Sequence, residues 1–164
     1  MTAVFRQQEP ITVIDDDWTE RIKANARAEP LRRARLNLHH DEADQVQEML
    51  IAFCKDSLTM PHRHLGRTES FHVVEGRLDL VFFDDEGRET RRLRLGAPGS
   101  GLPSLYRLNA PDWHLVIPLD EMVVVHETGC GPFTRDAEPP PAWAPRDTEA
   151  LRVFIDDLRT SGAR

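Results

Sequence analysis

The sequence predicts a mainly β protein with one helix near each end. Between residues 70 and 126, short apolar or alternating runs recur at regular spacing with turn residues between them, as in sandwiches and barrels. Two other stretches, about 17–28 and about 148–160, carry apolar residues at helical spacing. The chain has 164 residues, enough for one domain with a core. We therefore expect an antiparallel β fold flanked by two helices.

The first forty residues predict a strand–helix–strand extension packed on the barrel. Residues 1–10 are mostly polar and predict either a loose arm or an edge strand. Residues 11–14 are β-branched and predict a strand. Asp residues at 15–17 offer N-caps for the helix over about 17–28. Residues 35–39 alternate polar and apolar side chains, which predicts a half-buried strand.

Residues 46–53 fit two periodicities. Val46, Met49, Leu50 and Phe53 form a helical stripe, whereas Met49, Ile51 and Phe53 alternate as in a strand. The pattern alone slightly favours a helix. A strand is favoured by the short connection, without a helix cap, to the segment that follows.

The central region predicts a succession of antiparallel strands. Residues 71–74 and 77–83 are expected to pair as a hairpin through a turn at Glu75–Gly76. Asp84 to Gly87 forms the next turn. Further strands are predicted at 90–95, 105–108, 113–117 and 122–126.

The C-terminal part predicts a connector followed by a helix. A proline-rich stretch runs from residue 133 to Pro145 and is expected to be extended. Asp147 then caps a helix whose apolar stripe packs on the barrel or on another subunit. The predicted organisation is an extension at 1–40, a barrel at 41–132 and the connector with its helix at 133–164, all in one structural domain.

Composition and charge limit the classes of function that the chain can have. Hydrophobic residues make up 40% and charged residues 30%, and the formal net charge is −7; this acidic balance argues against binding to a phosphate backbone. No apolar run approaches the ~18–20 residues that span a bilayer. The N-terminus lacks a secretory apolar segment. Two cysteines are too few for a disulfide framework, so we expect reduced, mostly buried thiols in a cytoplasmic protein.

The segment from 60 to 76 has the pattern of a metal site. His62 and His64 lie two residues apart, Glu69 follows after four residues, and Gly76 after six more. In an extended chain, side chains two residues apart share one face, roughly 6.5–7 Å apart along the strand. Gly66 allows a turn that brings Glu69 back toward the same point. A surface histidine pair beside an unrelated glutamate is the alternative, but the whole spacing favours a metal site.

Two imidazoles and a carboxylate form a donor set that divalent transition metals favour, iron(II) among them. Three protein ligands would leave the ion open. The best candidate for a fourth is His114, which follows a turn at 110–112 and begins an apolar strand. Iron, manganese, zinc, nickel and copper all accept this set, and affinity order does not choose between them.

These residues resemble the cupin metal site, and their wider context resembles the WbuC family of cupin-fold metalloproteins. The resemblance runs from about residue 11 to about 160. The matching stretches are 35–39, 46–47, 61–64, 82–87, 113–114, 131–133 and 142–145.

The resemblance implies a double-stranded β-helix, an antiparallel jelly roll of six to eight strands with the ion inside one end. The implied ligands are His62, His64, Glu69 and His114, and residues 46–53 become a strand. The second motif departs from the cupin pattern: Pro111 and Asp112 precede Trp113 and His114, without the usual Pro-x-Gly before the histidine or Asn after it.

Five further residues are candidates for binding a substrate. The resemblance of residues 37–39 to the family's stretch places His39 in the pocket; alternatively His39 ends the strand at the surface. Arg35 and Asn37 share its strand parity and suit an anionic or hydroxyl-bearing ligand. Tyr106 either donates its hydroxyl in the pocket or only packs. Glu127 is a candidate acceptor for a ligand imidazole, or else a solvated or paired carboxylate. His72, with the opposite strand parity to Glu69, is expected to be structural.

Two functions remain open from the sequence. The first is a metal-dependent enzyme, an oxygenase, isomerase or lyase of cupin type, acting on a small polar substrate. The resemblance hints at a sugar or sugar acid in lipopolysaccharide or other surface-polysaccharide biosynthesis. The second is a non-catalytic metal-binding or ligand-binding sensor module. Either carries one divalent ion (Fe, Mn, Zn or Ni), and the fold implies a homodimer.

Overall fold

The computed structural model describes residues 4–6, 9–133 and 139–162, which form nine strands and two helices. In chain order these are β1 (Val4–Arg6), α1 (Asp16–Ala28), β2 (Arg33–Asn37), β3 (Val46–Cys54), β4 (Glu69–Glu75), β5 (Arg77–Phe83), β6 (Glu89–Gly96), β7 (Leu105–Leu108), β8 (Trp113–Pro118), β9 (Met122–Cys130) and α2 (Thr148–Ser161).

The strands form two sheets around one apolar interior. The six-stranded sheet has the order β1-β2-β3-β9-β4-β7, and the three-stranded sheet has the order β6-β5-β8. β1 runs parallel to β2, and the other strand pairs are antiparallel. Phe71 and Val125 of one sheet and Leu80 of the other belong to the same buried cluster. The predicted mainly β, cupin-type jelly roll with two helices is confirmed.

Each helix covers the outer face of one sheet. Ile22 and Ala26 of α1 pack with Leu50 of the six-stranded sheet. Leu151 and Ile155 of α2 pack with residues of β5 and β8 in the three-stranded sheet. The apolar stripe of α2 therefore lies on its own barrel. The predicted caps are present, because the side chains of Asp15 and Asp147 accept hydrogen bonds from first-turn amides.

The position of β3 explains its ambiguous sequence. Leu50 and Ala52 face α1, whereas Ile51 and Phe53 face the interior. A strand buried on both faces reads as a continuous apolar run, so its alternation is hidden. The prediction of a strand, which came from the resemblance, is confirmed.

The predicted hairpin between residues 71–74 and 77–83 is wrong. β4 pairs with β7 and β9, whereas β5 pairs with β6 and β8. The turn at Glu75–Gly76 carries the chain from one sheet to the other. Gly76 has φ 76°, and a Cβ there would lie 2.6 Å from the carbonyl oxygen of Met122, so the crossing requires glycine.

Several strand limits also differ from expectation. Residues 11–14 form no strand, and Ile11 and Val13 are exposed. The alternating stretch predicted at 35–39 is a strand over Arg33–Asn37, and β9 continues to Cys130. Both cysteines are free, but Cys130 is exposed, contrary to the expected burial. Residues 134–138 of the predicted connector lie outside the described residues.

Candidate metal centre and adjoining cleft

The structure brings together the side chains of His62, His64, Glu69 and His114. One ligand atom from each lies within 4.8 Å of the other three. The two histidines of the HxH motif precede β4, Glu69 begins β4, and His114 lies in β8 of the opposite sheet. Two backbone hydrogen bonds between His62 and His114, of 3.0 and 2.8 Å, join these segments.

Two of the imidazoles are oriented in the same way. The Nδ1 of His62 lies 3.1 Å from the carbonyl oxygen of Met60, and the Nδ1 of His114 lies 3.0 Å from that of Asp112. A carbonyl only accepts, so each Nδ1 carries the hydrogen. Each Nε2 lone pair is therefore free to face the cluster, as metal-binding imidazoles require.

Glu69 links the cluster to a second layer of side chains. Its Oε2 lies 2.8 Å from the Nε2 of His64, and its Oε1 accepts a hydrogen bond from the hydroxyl of Tyr106. The Oε1 also lies 3.8 Å from the Nε2 of His114. Tyr106 therefore stands behind Glu69 and is absent from the lining of the cleft described below.

Burial and neighbouring charges set the protonation of the cluster. Burial, followed by the charge of His114, lowers the pKa of His62 to about 3. Burial also lowers the pKa of His114. For Glu69 burial alone raises the pKa, but the hydrogen bond from His64 and the imidazole charges outweigh it and lower the pKa to about 2. Neutral imidazoles and an ionised carboxylate are the forms that bind metals.

The cluster fits a divalent ion. The Nε2 of His114 is buried and has no hydrogen-bond partner among the described residues, and such an orphaned acceptor is costly in a folded protein. Three imidazoles and a carboxylate converging on one point suit Fe, Mn, Zn or Ni. Bound there, the ion would satisfy the orphaned nitrogen.

A cleft of two chambers adjoins the cluster. The chambers have volumes of about 410 and 390 Å³, within the usual range for small-molecule sites. All four cluster residues line the second chamber. The chambers share Val4, Arg35, His64, Glu69, Glu127 and Phe133.

The predicted substrate-binding residues fall into two groups. Arg35, Asn37, His39 and Glu127 line the cleft, whereas Tyr106 holds Glu69 from behind. The imidazole acceptors found are the carbonyls of Met60 and Asp112, not Glu127. His72 lies outside both chambers, opposite His126 in the sheet.

Glu127 is a carboxyl group in an unusual environment. Burial, and then the charge of Glu69, raises its pKa to about 8, although Arg35 and Arg33 act in the opposite direction. Glu127 and Glu69 thus have pKa values displaced in opposite directions within one cleft. Such a pair is typical of sites that handle protons.

Arg33 is a cleft residue that sequence reasoning missed. It lines the second chamber together with the four cluster residues. Its strand parity is that of Arg35 and Asn37, so extending the alternation by one step toward the N-terminus would have found it.

Comparison with known proteins places the chain in a family. The model for a domain of unknown function, DUF6016, matches residues 14–95, half of the chain. The chain belongs to the DUF6016 family. The matched stretch contains His62, His64 and Glu69 but not His114. No curated protein matches the chain.

Solved structures show a similar fold. Protein SO0799 from Shewanella oneidensis is 14% identical, with 77% of this chain and 81% of that chain covered and a TM-score of 0.54. CapF with the inhibitor 3-isopropenyl-tropolone is 16% identical, with 66% and 30% covered and a TM-score of 0.51. The Schizosaccharomyces pombe Cnp3 cupin domain is 9% identical, with 60% and 64% covered and a TM-score of 0.48. The DUF6016 chain thus spans less than two thirds of the last two structures. At these identities SO0799 and CapF, whose TM-scores exceed 0.5, show the fold alone.

Within the described part of the chain, neither helix is long and apolar enough to cross a bilayer.

Proposed function

We propose that this DUF6016 protein is a metal-dependent cupin enzyme that acts on a small polar substrate bound in the cleft. One divalent ion would be held by His62, His64, Glu69 and His114. The observation that carries the proposal is the convergence of four donor groups around the buried Nε2 of His114, which has no partner among the described residues. The cleft then gives a small molecule access to the same point.

The ion would supply Lewis-acid or redox chemistry, in an oxygenase, isomerase or lyase reaction. The chain supplies orientation and proton handling. Tyr106 fixes the carboxylate of Glu69 through its hydroxyl. Glu127 lines both chambers, and its raised pKa leaves a proton on its carboxyl group at neutral pH. A proton-holding group inside an accessible cleft favours an enzyme over a passive sensor.

The proposal extends to a substrate class. The resemblance to the WbuC family supports a sugar or sugar acid of surface-polysaccharide biosynthesis, and we extend the proposal to a cytoplasmic homodimer. Size-exclusion chromatography with light scattering tests the oligomeric state.

Metal content tests the proposal. The wild-type protein, purified without added metal and analysed by mass spectrometry for elements, should contain close to one transition-metal ion per chain. His62→Ala, His64→Ala and His114→Ala should each lower this content several-fold, because each removes a ligand.

His72→Ala is the matched control, since it removes an imidazole from β4 that lies outside the cleft. It should keep the wild-type metal content. An equal loss in all four variants, with circular dichroism unchanged, would contradict the proposed ligand set. So would a wild-type protein that binds no ion even after incubation with each metal.

A further inference from the structure

The inner face of β2 carries polar side chains where the neighbouring strand is apolar. Arg33, Arg35 and Asn37 lie opposite Phe53, Ile51 and Met49 of β3. Arg33 and Arg35 are half-buried, and Asn37 is 5% exposed. Arg33 lines the chamber that holds the four-donor cluster, Asn37 lines the other, and Arg35 lines both. Charged groups on such a face are costly unless something pairs with them.

The two guanidinium groups lack such partners. In the described part of the chain, neither guanidinium group forms an ion pair or a hydrogen bond to an oxygen; that of Arg35 contacts only the sulfur of Met49, at 3.9 Å. Glu127 is the nearby carboxylate that acts on both charges. Two positive groups therefore face one carboxyl group, whose proton at neutral pH leaves the positive charge of this face unmatched.

Asn37 adds an unsatisfied amide to this face. Its Nδ2 lies 3.1 Å from the Nε2 of His39, while its Oδ1 is buried without a partner among the described residues. The Nδ1 of His39 lies 3.0 Å from the backbone nitrogen of Glu48 and 2.9 Å from its carbonyl oxygen. That carbonyl already accepts from the backbone N–H of Leu38, so we assign the lone pair of Nδ1 to the N–H of Glu48. A neutral imidazole then carries its hydrogen on Nε2 and needs an acceptor.

Rotation of the Asn37 amide by about 180° satisfies both residues, since oxygen and nitrogen then exchange places. The Oδ1 accepts from the Nε2 of His39, and the Nδ2 becomes a donor without a protein partner. The face of β2 would then present three groups that only donate: two guanidinium groups and one amide.

We propose that Arg33, Arg35 and Asn37 form a subsite for a carboxylate group of the substrate. The rest of the substrate would extend along the cleft to the four-donor cluster. A carboxylate accepts from an arginine fork through two parallel hydrogen bonds, and its negative charge offsets the positive charge of this face. A phosphate dianion fits less well, because the carboxylate of Glu69 lines the same chambers. This subsite rests on the proposed function, as it names the substrate class for the same cleft.

Calorimetric titration with matched probes tests the subsite. D-glucuronate, D-glucose and D-glucose 6-phosphate differ at one carbon, which carries a carboxylate, an alcohol or a phosphate. Pyruvate and 2-oxoglutarate add carboxylates of other shapes. At least one carboxylate should bind the wild-type protein. If it is D-glucuronate, it should bind at least about tenfold more tightly than D-glucose and the 6-phosphate.

Variants then assign the binding to β2. Arg33→Gln and Arg35→Gln should each weaken carboxylate binding about ten- to hundredfold, the usual effect of losing a hydrogen bond to a charged group. Asn37→Asp keeps the shape but should abolish binding, because it places a carboxylate against a carboxylate. Arg91→Gln, an exposed arginine of β6, is the matched control and should bind as wild type.

Three results would overturn the subsite: no carboxylate binds, the phosphate binds more tightly through the same arginines, or the three β2 variants bind as wild type does. The titrations are repeated after chelation of metal. Arginine-dependent carboxylate binding in a protein that binds no ion would refute the proposed metal enzyme and keep the subsite. One ion per chain without arginine-dependent carboxylate binding would refute the subsite alone.

Discussion

Two groups of arginines and buried carboxyls in this molecule differ in how completely they are paired. Asp79 of β5 is fully buried near the C-terminal end of α2. It accepts two hydrogen bonds from Arg94, at 2.8 and 2.9 Å, and one from Arg92, at 3.3 Å. The same arginines donate to the carbonyls of Leu158 and Gly162, at 2.8 Å each. In the cleft, the guanidinium groups of Arg33 and Arg35 have no oxygen partner among the described residues.

The contrast separates a structural role from a binding role. The arginines at Asp79 use their donors within the protein and hold the C-terminal turn of α2 against the sheet, where cations are favourable. The arginines of β2 keep their donors available beside a cavity. Arginines that donate to groups inside the protein stabilise the fold, whereas under the proposed subsite those without partners beside the cleft bind the carboxylate of the substrate.

Removing the carboxyl group of Asp79 should have the largest effect on stability. Asp79→Ala leaves Arg92 and Arg94 without their shared partner, and we expect the free energy of unfolding to fall by about 3 kcal/mol. Chemical denaturation measures it. The matched control is Asp120→Ala, whose partner Arg77 is exposed, with an expected loss within about 1 kcal/mol. An equal loss in both variants would show that the buried pairing of Asp79 stabilises the protein no more than the exposed pairing of Asp120.

Glu127→Gln should raise the free energy of unfolding, and the size of this gain should depend on pH. The folded-state pKa of Glu127 is raised from 4.5 to about 8. Between these values the folded protein holds a proton that the unfolded chain has lost, so this group lowers stability as pH rises through the window. After chelation of metal, Glu127→Gln should be about 1–2 kcal/mol more stable than wild type at pH 9.

The gap between Glu127→Gln and wild type should close as the pH falls toward 5. Glu121→Gln, the same change in an exposed carboxylate outside the cleft, is the control for the substitution itself. A constant difference across the pH range would show that Glu127 does not titrate in this window.

Arg33→Gln and Arg35→Gln should have the smallest effect on stability. Neither variant breaks an ion pair, so the free energy of unfolding should stay within about 0.5 kcal/mol of wild type. Arg94→Gln, which breaks the pair with Asp79, should cost clearly more. A loss in Arg35→Gln as large as that in Arg94→Gln would make Arg35 structural and end the comparison between the two groups.

The four-donor cluster was predictable to different degrees. His62, His64 and Glu69 lie within eight residues, so their spacing and the turn at Gly66 (φ 66°) carry most of the geometry. His114 is fifty residues further on, and its place depends on the pairing of its strand with the HxH segment. His114 was nominated by its position after a turn at the start of an apolar strand, and the resemblance implied the same ligand, but the pairing itself is not contained in local periodicity.

The errors have physical causes of the same kind. Glu75–Gly76 has the composition of a hairpin turn, but the same residues serve a crossing between sheets, and only strand pairing distinguishes the two. Arg33 was missed because the alternation was followed only from Arg35 onward, whereas β2 begins at Arg33. Whether Arg33 has a charged partner depends on residues distant in sequence, and the same is true of the pairing of Asp79.

By itself the sequence determined the mainly β architecture, both helices with their caps and the donor set of the motif, because these depend on periodicity and on residues close together in the chain. Only the tertiary structure decided which strands pair, which charges are matched and where the cleft lies. Those features depend on groups that meet only after the two sheets face each other, when burial removes water and makes each unpaired charge count.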